Sequence, residues 1–157
     1  MYHIQYPSPL GILTLTSDGY ALTELRLTAG PVMQINREIP VLTQAMLWLD
    51  RYFLGNPMMI QSFPLRLEGT PFQERVWDIV RRIPFGQVIT YGQIADQLAR
   101  DLGRPMSAQA VGGAVGRIPV PIIIPCHRVL GHNGKLTGYS GGLDKKIWRL
   151  QHEGHTV

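Results

Sequence analysis

Two helix-start signals constrain the C-terminal half of this chain more than any other feature. Thr70-Pro71-Phe72-Gln73 joins an N-cap threonine, a proline at the first helical position and a glutamine placed to bond back to the cap. Thr90-Tyr91-Gly92-Gln93 repeats the capping box. The spacing predicts one helix to about Arg82, a turn at Pro84-Phe85-Gly86, and a second helix ending near Leu98 or Ala99. Gly103-Arg104-Pro105 breaks the chain again and Ser107 caps a third helix, so two short helices across a tight turn read as a helix-turn-helix.

The third helix, Ser107 to Gly116, carries three glycines, each costing about 1 kcal/mol of helix propensity relative to alanine. Ala108, Val111 and Val115 share a face that can pack inward, whereas Gln109, Gly112, Gly113 and Gly116 line another that is nearly bare backbone. Two uses fit such a face: close packing of a second helix, or close approach to a nucleic-acid groove with Gln109 reaching in.

The N-terminal part reads differently. Gly11–Thr16 and Ala21–Leu27 alternate apolar and polar residues around the turn Ser17-Asp18-Gly19, which predicts a hairpin. Val41, Leu42, Ala45, Met46, Leu49, Tyr52 and Phe53 recur at helical spacing, and Gly55-Asn56-Pro57 ends the run. Trp48 and the Met58-Met59 pair read as core or packing residues. The expected organisation is a small α/β domain over residues 1–67, an antiparallel sheet plus a helix, followed by a mostly helical domain over 68–157.

Charge divides at the same place. Residues 1–69 hold 4 Lys+Arg against 5 Asp+Glu, and residues 70–157 hold 11 against 6, so the two parts carry −1 and +5. A basic half fits a polyanionic partner, and it also fits plain solubility. With 45% hydrophobic and 17% charged residues the chain can bury a core, which excludes wholesale disorder. No run approaches the roughly 18 apolar residues of a membrane span, and the first residues lack a signal-peptide layout, so the expected compartment is the cytoplasm.

Cys126 is the only cysteine. One thiol can build neither an internal disulfide framework nor a multi-cysteine zinc site, so it is either inert and buried or reactive. The apolar, proline-bounded segment Ile118 to Pro125 delivers it to a fixed position next to His127 and Arg128. A thiol of ordinary pKa near 8.5 needs a base or positive neighbours to ionise at neutral pH, and these two residues are of both kinds.

Pro125-Cys126-His127-Arg128-Val129 closely resembles the active-site motif of the O6-alkylguanine-DNA alkyltransferases, or methylated-DNA-protein-cysteine methyltransferases. Phe72-Gln73, Val76-Trp77, Ile83-Pro84-Phe85-Gly86, Thr90–Ala95, Ala110–Ala114, Gly138–Gly142 and His152-Glu153-Gly154 resemble the same family in order and spacing. The resemblance implies a winged helix-turn-helix-like motif that enters the minor groove of double-stranded DNA, extrusion of the O6-alkylguanine, and irreversible, single-use transfer of the alkyl group to Cys126. It implies His127 as base through a bridging water, Glu153 orienting the imidazole, and Tyr91 donating to guanine N3. Tyr139 and Pro121 would wall the pocket, the Ser140 amide would meet O6, and the carbonyls of Cys126 and Val129 would accept from the exocyclic amine. Gln109, Ala110, Gly112, Gly113 and Arg128 would contact DNA.

No cofactor, metal or membrane is implied, and the protein would act as a monomer. Some relatives hold a Cys/His zinc site in the N-terminal lobe; no cysteine precedes Cys126 to build one here. Two positions depart from the family pattern: Gln109 stands where an arginine usually fills the gap left by the extruded base, and Ile118 where an asparagine usually links the DNA-binding helix to the cysteine segment. Two other classes weigh against the leading one: a non-enzymatic sensor of alkylated DNA, which the presence of Cys126 opposes, and a Cys-His hydrolase unrelated to DNA, which leaves the glycine face unused.

Overall fold

The structure is a computed structural model and describes residues 1–28, 36, 38–55, 63–136 and 142–156. The chain divides into two units, Met1–Leu67 and Glu68–Val157.

The first unit holds three antiparallel strands in the order β1 (Tyr2–Ser8), β2 (Gly11–Ser17), β3 (Leu22–Leu27), followed by α1 (Pro40–Phe53). The hairpin forms where its turn residues place it. Asp18 Oδ1 accepts from the Tyr20 and Ala21 amides, both at 2.9 Å, while Ser17 Oγ donates to the Ala21 carbonyl at 2.7 Å. Strand β1 extends the sheet and buries Ile4 and Tyr6 on alternate positions. Helix α1 buries Val41, Leu42, Ala45, Leu49 and Tyr52 as expected, together with Trp48, which stacks on Tyr52 at 5.6 Å; Met46 and Phe53 lie at the margin. Met58 and Met59 lie outside the described residues.

In the second unit both capping boxes close. The Gln73 amide donates to Thr70 Oγ1 at 3.1 Å and the Thr70 amide to Gln73 Oε1 at 2.9 Å, opening α2 (Pro71–Arg81). Thr90 and Gln93 repeat the exchange at 3.1 and 2.8 Å and open α3 (Tyr91–Leu102). This helix runs past the expected stop at Leu98 or Ala99. Nothing from Arg100 to Leu102 breaks it, and it ends at Gly103, whose φ of 67° is the left-handed cap that glycine adopts without a Cβ penalty. Helix α4 (Ala108–Val115) follows, with Ser107 Oγ accepting from the Ala110 amide at 3.0 Å.

The inward face of α4 is Val111, Ala114 and Val115, with Ala108 exposed in the first turn rather than packed as expected. Trp77 ties α2 to this helix by donating its indole N–H to the Ala114 carbonyl at 2.8 Å. Among the described residues the glycine face is sparsely covered: a Cβ at Gly113 would meet no atom within 4 Å, and one at Gly112 would reach the ring of Tyr91, at the start of α3, at 3.8 Å. Among the described residues, close helix packing does not account for Gly113.

From Val120 the chain is buried through Ile122, Ile123 and Ile124. It is a tight turn rather than a strand, with the Ile124 amide donating to the Val120 carbonyl at 3.0 Å and Ile122 at φ 73°. A β-branched residue in that region costs about 1–3 kcal/mol, offset here by full burial of its side chain. The turn feeds a single 3-10 turn, Cys126–Arg128, then β5 (Val129–Leu130), which pairs in parallel with β4 (Ile89–Thr90), and finally α5 (Leu143–His152).

Candidate active site

Cys126 sits at the head of the 3-10 turn with 4% of its surface exposed, held by its amide donating to the Ile124 carbonyl at 2.7 Å. His127 is fully buried, and its Nε2 bonds Glu153 Oε2. Glu153 lies just past the last turn of α5, buried as well, and its carboxylate gathers other donors: Arg128 Nε at 2.7 Å, Arg128 Nη2 at 3.1 Å and the Gly86 amide at 3.2 Å. The Pro84-Phe85-Gly86 turn thus contributes a backbone donor to the site.

These contacts fix the protonation states. Burial alone would raise the Glu153 carboxyl, but its bonds to His127 and Arg128 outweigh that and hold it below the usual carboxylate range. Burial drives the His127 imidazole down from 6.5 to about 4, against the opposing pull of Glu153 and with the help of the Arg149 and Arg128 charges. With Glu153 ionised and His127 neutral, the proton resides on Nε2 and donates to the carboxylate. Nδ1 is then the basic ring nitrogen.

This arrangement predicts an acid limit on stability. His127 takes its proton at 6.5 when unfolded and only at about 4 when folded, so the unfolded chain binds more protons in that window and stability falls as pH drops through it. Glu153, lowered in the fold, adds a loss as pH falls below its ordinary 4.5. Urea denaturation should show roughly 1.4 kcal/mol lost per pH unit for each group in its own window. His127→Asn should flatten the segment between pH 6.5 and 4.5; a wild-type profile already flat there would contradict a buried neutral imidazole.

Arg128 was expected at the DNA surface, and the structure gives it different work. Its side chain is 8% exposed, with Nη1 donating to the Ile83 carbonyl at 2.6 Å and the guanidinium 5.7 Å from the centre of the Phe85 ring. It locks Glu153 to the core instead of facing a phosphate.

Tyr91, at the start of α3, is half-buried, and its phenol is raised first by burial and then by the negative charge Cys126 can carry. It remains a donor at neutral pH. With Gly92, Ala108, Gln109, Gly112 and His132 it lines a cavity of about 510 Å³. The structure thus brings Tyr91, Gln109 and Gly112 to one concavity. Ala110 and Gly113 are exposed on α4, and Pro121 is part-buried in the turn before Cys126. Ile118 is part-buried and its amide donates to the Val115 carbonyl at 3.2 Å. Tyr139 and Ser140 lie outside the described residues.

The sequence reading missed Lys146. It is completely buried on α5, donates from Nζ to the Val129 carbonyl at 2.7 Å and lies 5.9 Å from the centre of the Tyr91 ring. The only signal for it was its position on the helix face that also carries Leu150 and Glu153.

Residues 71–155 match the model of the 6-O-methylguanine DNA methyltransferase DNA binding domain, and residues 1–67 that of the 6-O-methylguanine DNA methyltransferase ribonuclease-like domain. A methylated-DNA-protein-cysteine methyltransferase of Haemophilus influenzae is 40% identical over 98% of this chain and 86% of its own length. One from Methanosarcina acetivorans is 40% identical over 98% of this chain and 99% of its own. Among solved structures, Mycobacterium tuberculosis OGT in complex with DNA superposes with a TM-score of 0.83 at 40% identity, covering 98% of this chain and 92% of that one.

Proposed function

The chain belongs to the 6-O-methylguanine DNA methyltransferase family, and from that premise we propose how its own residues carry out the transfer. It is a methylated-DNA-protein-cysteine methyltransferase that takes the alkyl group of O6-alkylguanine in duplex DNA onto Cys126. The observation that carries the residue-level reading is the buried thiol, followed in the chain by a histidine whose tautomer a carboxylate fixes, and electrostatically coupled to Tyr91, which lines the cavity beside Gln109 and Gly112.

The base must leave the stack before a buried thiol can reach its O6 substituent, at a cost of a few kcal/mol of unstacking. Helices α3 and α4 act as a helix-turn-helix in the minor groove. The exposed Ala110 and Gly113 let the α4 backbone approach, and Gln109 stands in the space the base vacates. Being shorter than arginine and uncharged, Gln109 keeps extrusion possible at lower affinity. His127 Nδ1 takes the thiol proton through a water, and the sulfur attacks the methyl carbon. The S–C bond forms as the C–O6 bond breaks, the electron pair leaves with guanine, and the proton given up by the thiol is balanced by one gained on the base. Tyr91 donates to guanine N3 and lowers the charge developing there. The carbonyls of Cys126 and Val129 accept from the exocyclic amine, Pro121 and Tyr139 bound the pocket, and the Ser140 amide meets O6. The protein works as a monomer in the cytoplasm; among the described residues no helix is long and apolar enough to cross a membrane.

A thioether is not hydrolysed under cellular conditions, so each molecule acts once. Titrating a duplex containing O6-methylguanine with the protein should restore guanine in a one-to-one plateau with no further turnover. Tight binding without restored guanine would favour the sensor, and repeated turnover a hydrolase.

A further inference from the structure

We propose that Phe85 is a positioning residue for the transfer: its ring covers the Arg128–Glu153 pair and so keeps the Glu153 carboxylate on His127 Nε2, which leaves Nδ1 as the basic nitrogen. The inference rests on His127 being the base of the reaction and assigns the group that holds it in the competent form.

Three positions of the turn from Ile83 to Gly86 touch that pair. The Ile83 carbonyl accepts from Arg128 Nη1 at 2.6 Å, the Phe85 ring centre lies 5.7 Å from the guanidinium carbon of Arg128, and the Gly86 amide donates to Glu153 Oε1 at 3.2 Å. Gly86 stands at φ 81°, in the left-handed region that a side chain would strain, so the turn is specified by sequence. A further contact seats the ring. His152 meets it edge-on, with ring centres 6.3 Å apart and planes at 79°, and Trp148, one turn earlier on α5, stacks on His152 at 4.9 Å. Glu153 follows His152 directly, so the same stretch of chain supplies the carboxylate and the aromatic pair that seats its cover.

Phe85 is half-buried, whereas the Arg128 side chain it meets is 8% exposed and the Glu153 side chain is fully buried, so the ring is part of the layer between this pair and solvent. A guanidinium over an aromatic face gains most where water is excluded from it. Leucine keeps apolar bulk at this place but offers no ring face and covers less. Water reaching the guanidinium weakens its grip on Glu153, and a carboxylate drawn toward solvent loosens its bond to His127 Nε2.

The Nε2 proton of His127 reports that bond directly and with no DNA present: a buried imidazole N–H donating to a carboxylate exchanges slowly with water, and proton NMR follows it, assigned by its loss in His127→Asn. In Phe85→Leu its exchange should quicken about tenfold beyond any change in the slowest core amides, because the opening is local. Single-turnover methyl transfer should fall about tenfold as the base loses its aim, with affinity for the lesion-containing duplex unchanged. Phe85→Tyr keeps the ring and should stay near wild type in both. Where Phe85→Leu folds too poorly to measure, Phe85→Met fills much of the same space without a ring face and should show the same two effects.

An Nε2 proton that exchanges at the wild-type rate overturns the proposal even if transfer is slower. So does a gain no larger than that of the core amides, which marks a structural role alone, and so does Phe85→Tyr behaving like Phe85→Leu. A wild type whose Nε2 proton responds to Phe85→Leu as expected but which transfers no methyl group would count against the functional reading instead.

Discussion

Replacing Glu153 with alanine is expected to cost about 3–5 kcal/mol of stability, because it strips a buried cation of its partner. One carboxylate takes donors from His127 Nε2, Arg128 Nε and Nη2, and the Gly86 amide, and no other carboxylate is buried among the described residues of this unit. Alanine leaves the Arg128 guanidinium desolvated, with the Ile83 carbonyl as its remaining acceptor among the described residues, and removes the group that fixes the His127 tautomer. Against a usual stability of about 5–15 kcal/mol the loss is a large share, and it should lower the urea midpoint by about 1 M or more. Glu153→Gln should fall between, since its amide offers one acceptor oxygen and turns an N–H₂ toward existing donors. A loss below about 1 kcal/mol in the alanine variant would contradict the pairing described here.

Cys126→Ser is expected to abolish methyl transfer, by at least 10³-fold, with stability and lesion binding retained. Serine fits the space of a cysteine that is 4% exposed, but its hydroxyl does not ionise near neutral pH, and a neighbouring imidazole does not make up the difference. Measured single-turnover transfer within tenfold of wild type would place the acceptor elsewhere.

The helical half was legible because its signals are local. Each capping box needs only the residues that form it, and Thr70, Thr90 and Ser107 cap the helices their neighbours predict. The stop of α3 was placed too early because Arg100, Asp101 and Leu102 carry no breaker, and Gly103 was the true end. Helix α4 showed which face was bare, but whether anything covered that face depended on tertiary neighbours: among the described residues the space at Gly113 is open and Gly112 faces the Tyr91 ring. Strands β4 and β5 are two residues each, too short for any period, and pair only because the turns at Pro84-Phe85-Gly86 and Ile122 bring them together.

In the site, the resemblance singled out Cys126, His127 and Glu153, and the structure bonds Glu153 to the His127 imidazole. Arg128 misled because an arginine beside a reactive cysteine in a basic domain looks like a phosphate contact. Its burial comes from the Ile83 carbonyl, which lies far from it in sequence. Lys146 was invisible for the same reason: a lysine in a run with Lys145 and Asp144 reads as solvated surface until the Val129 carbonyl appears opposite it.

The most direct test of the account is the mass of the Cys126 peptide after incubation with duplex DNA containing O6-methylguanine. One added methyl group on Cys126, in an amount equal to the guanine restored, is the predicted result. Restored guanine with an unmodified Cys126 peptide, or a methyl group carried by any other residue, would contradict it.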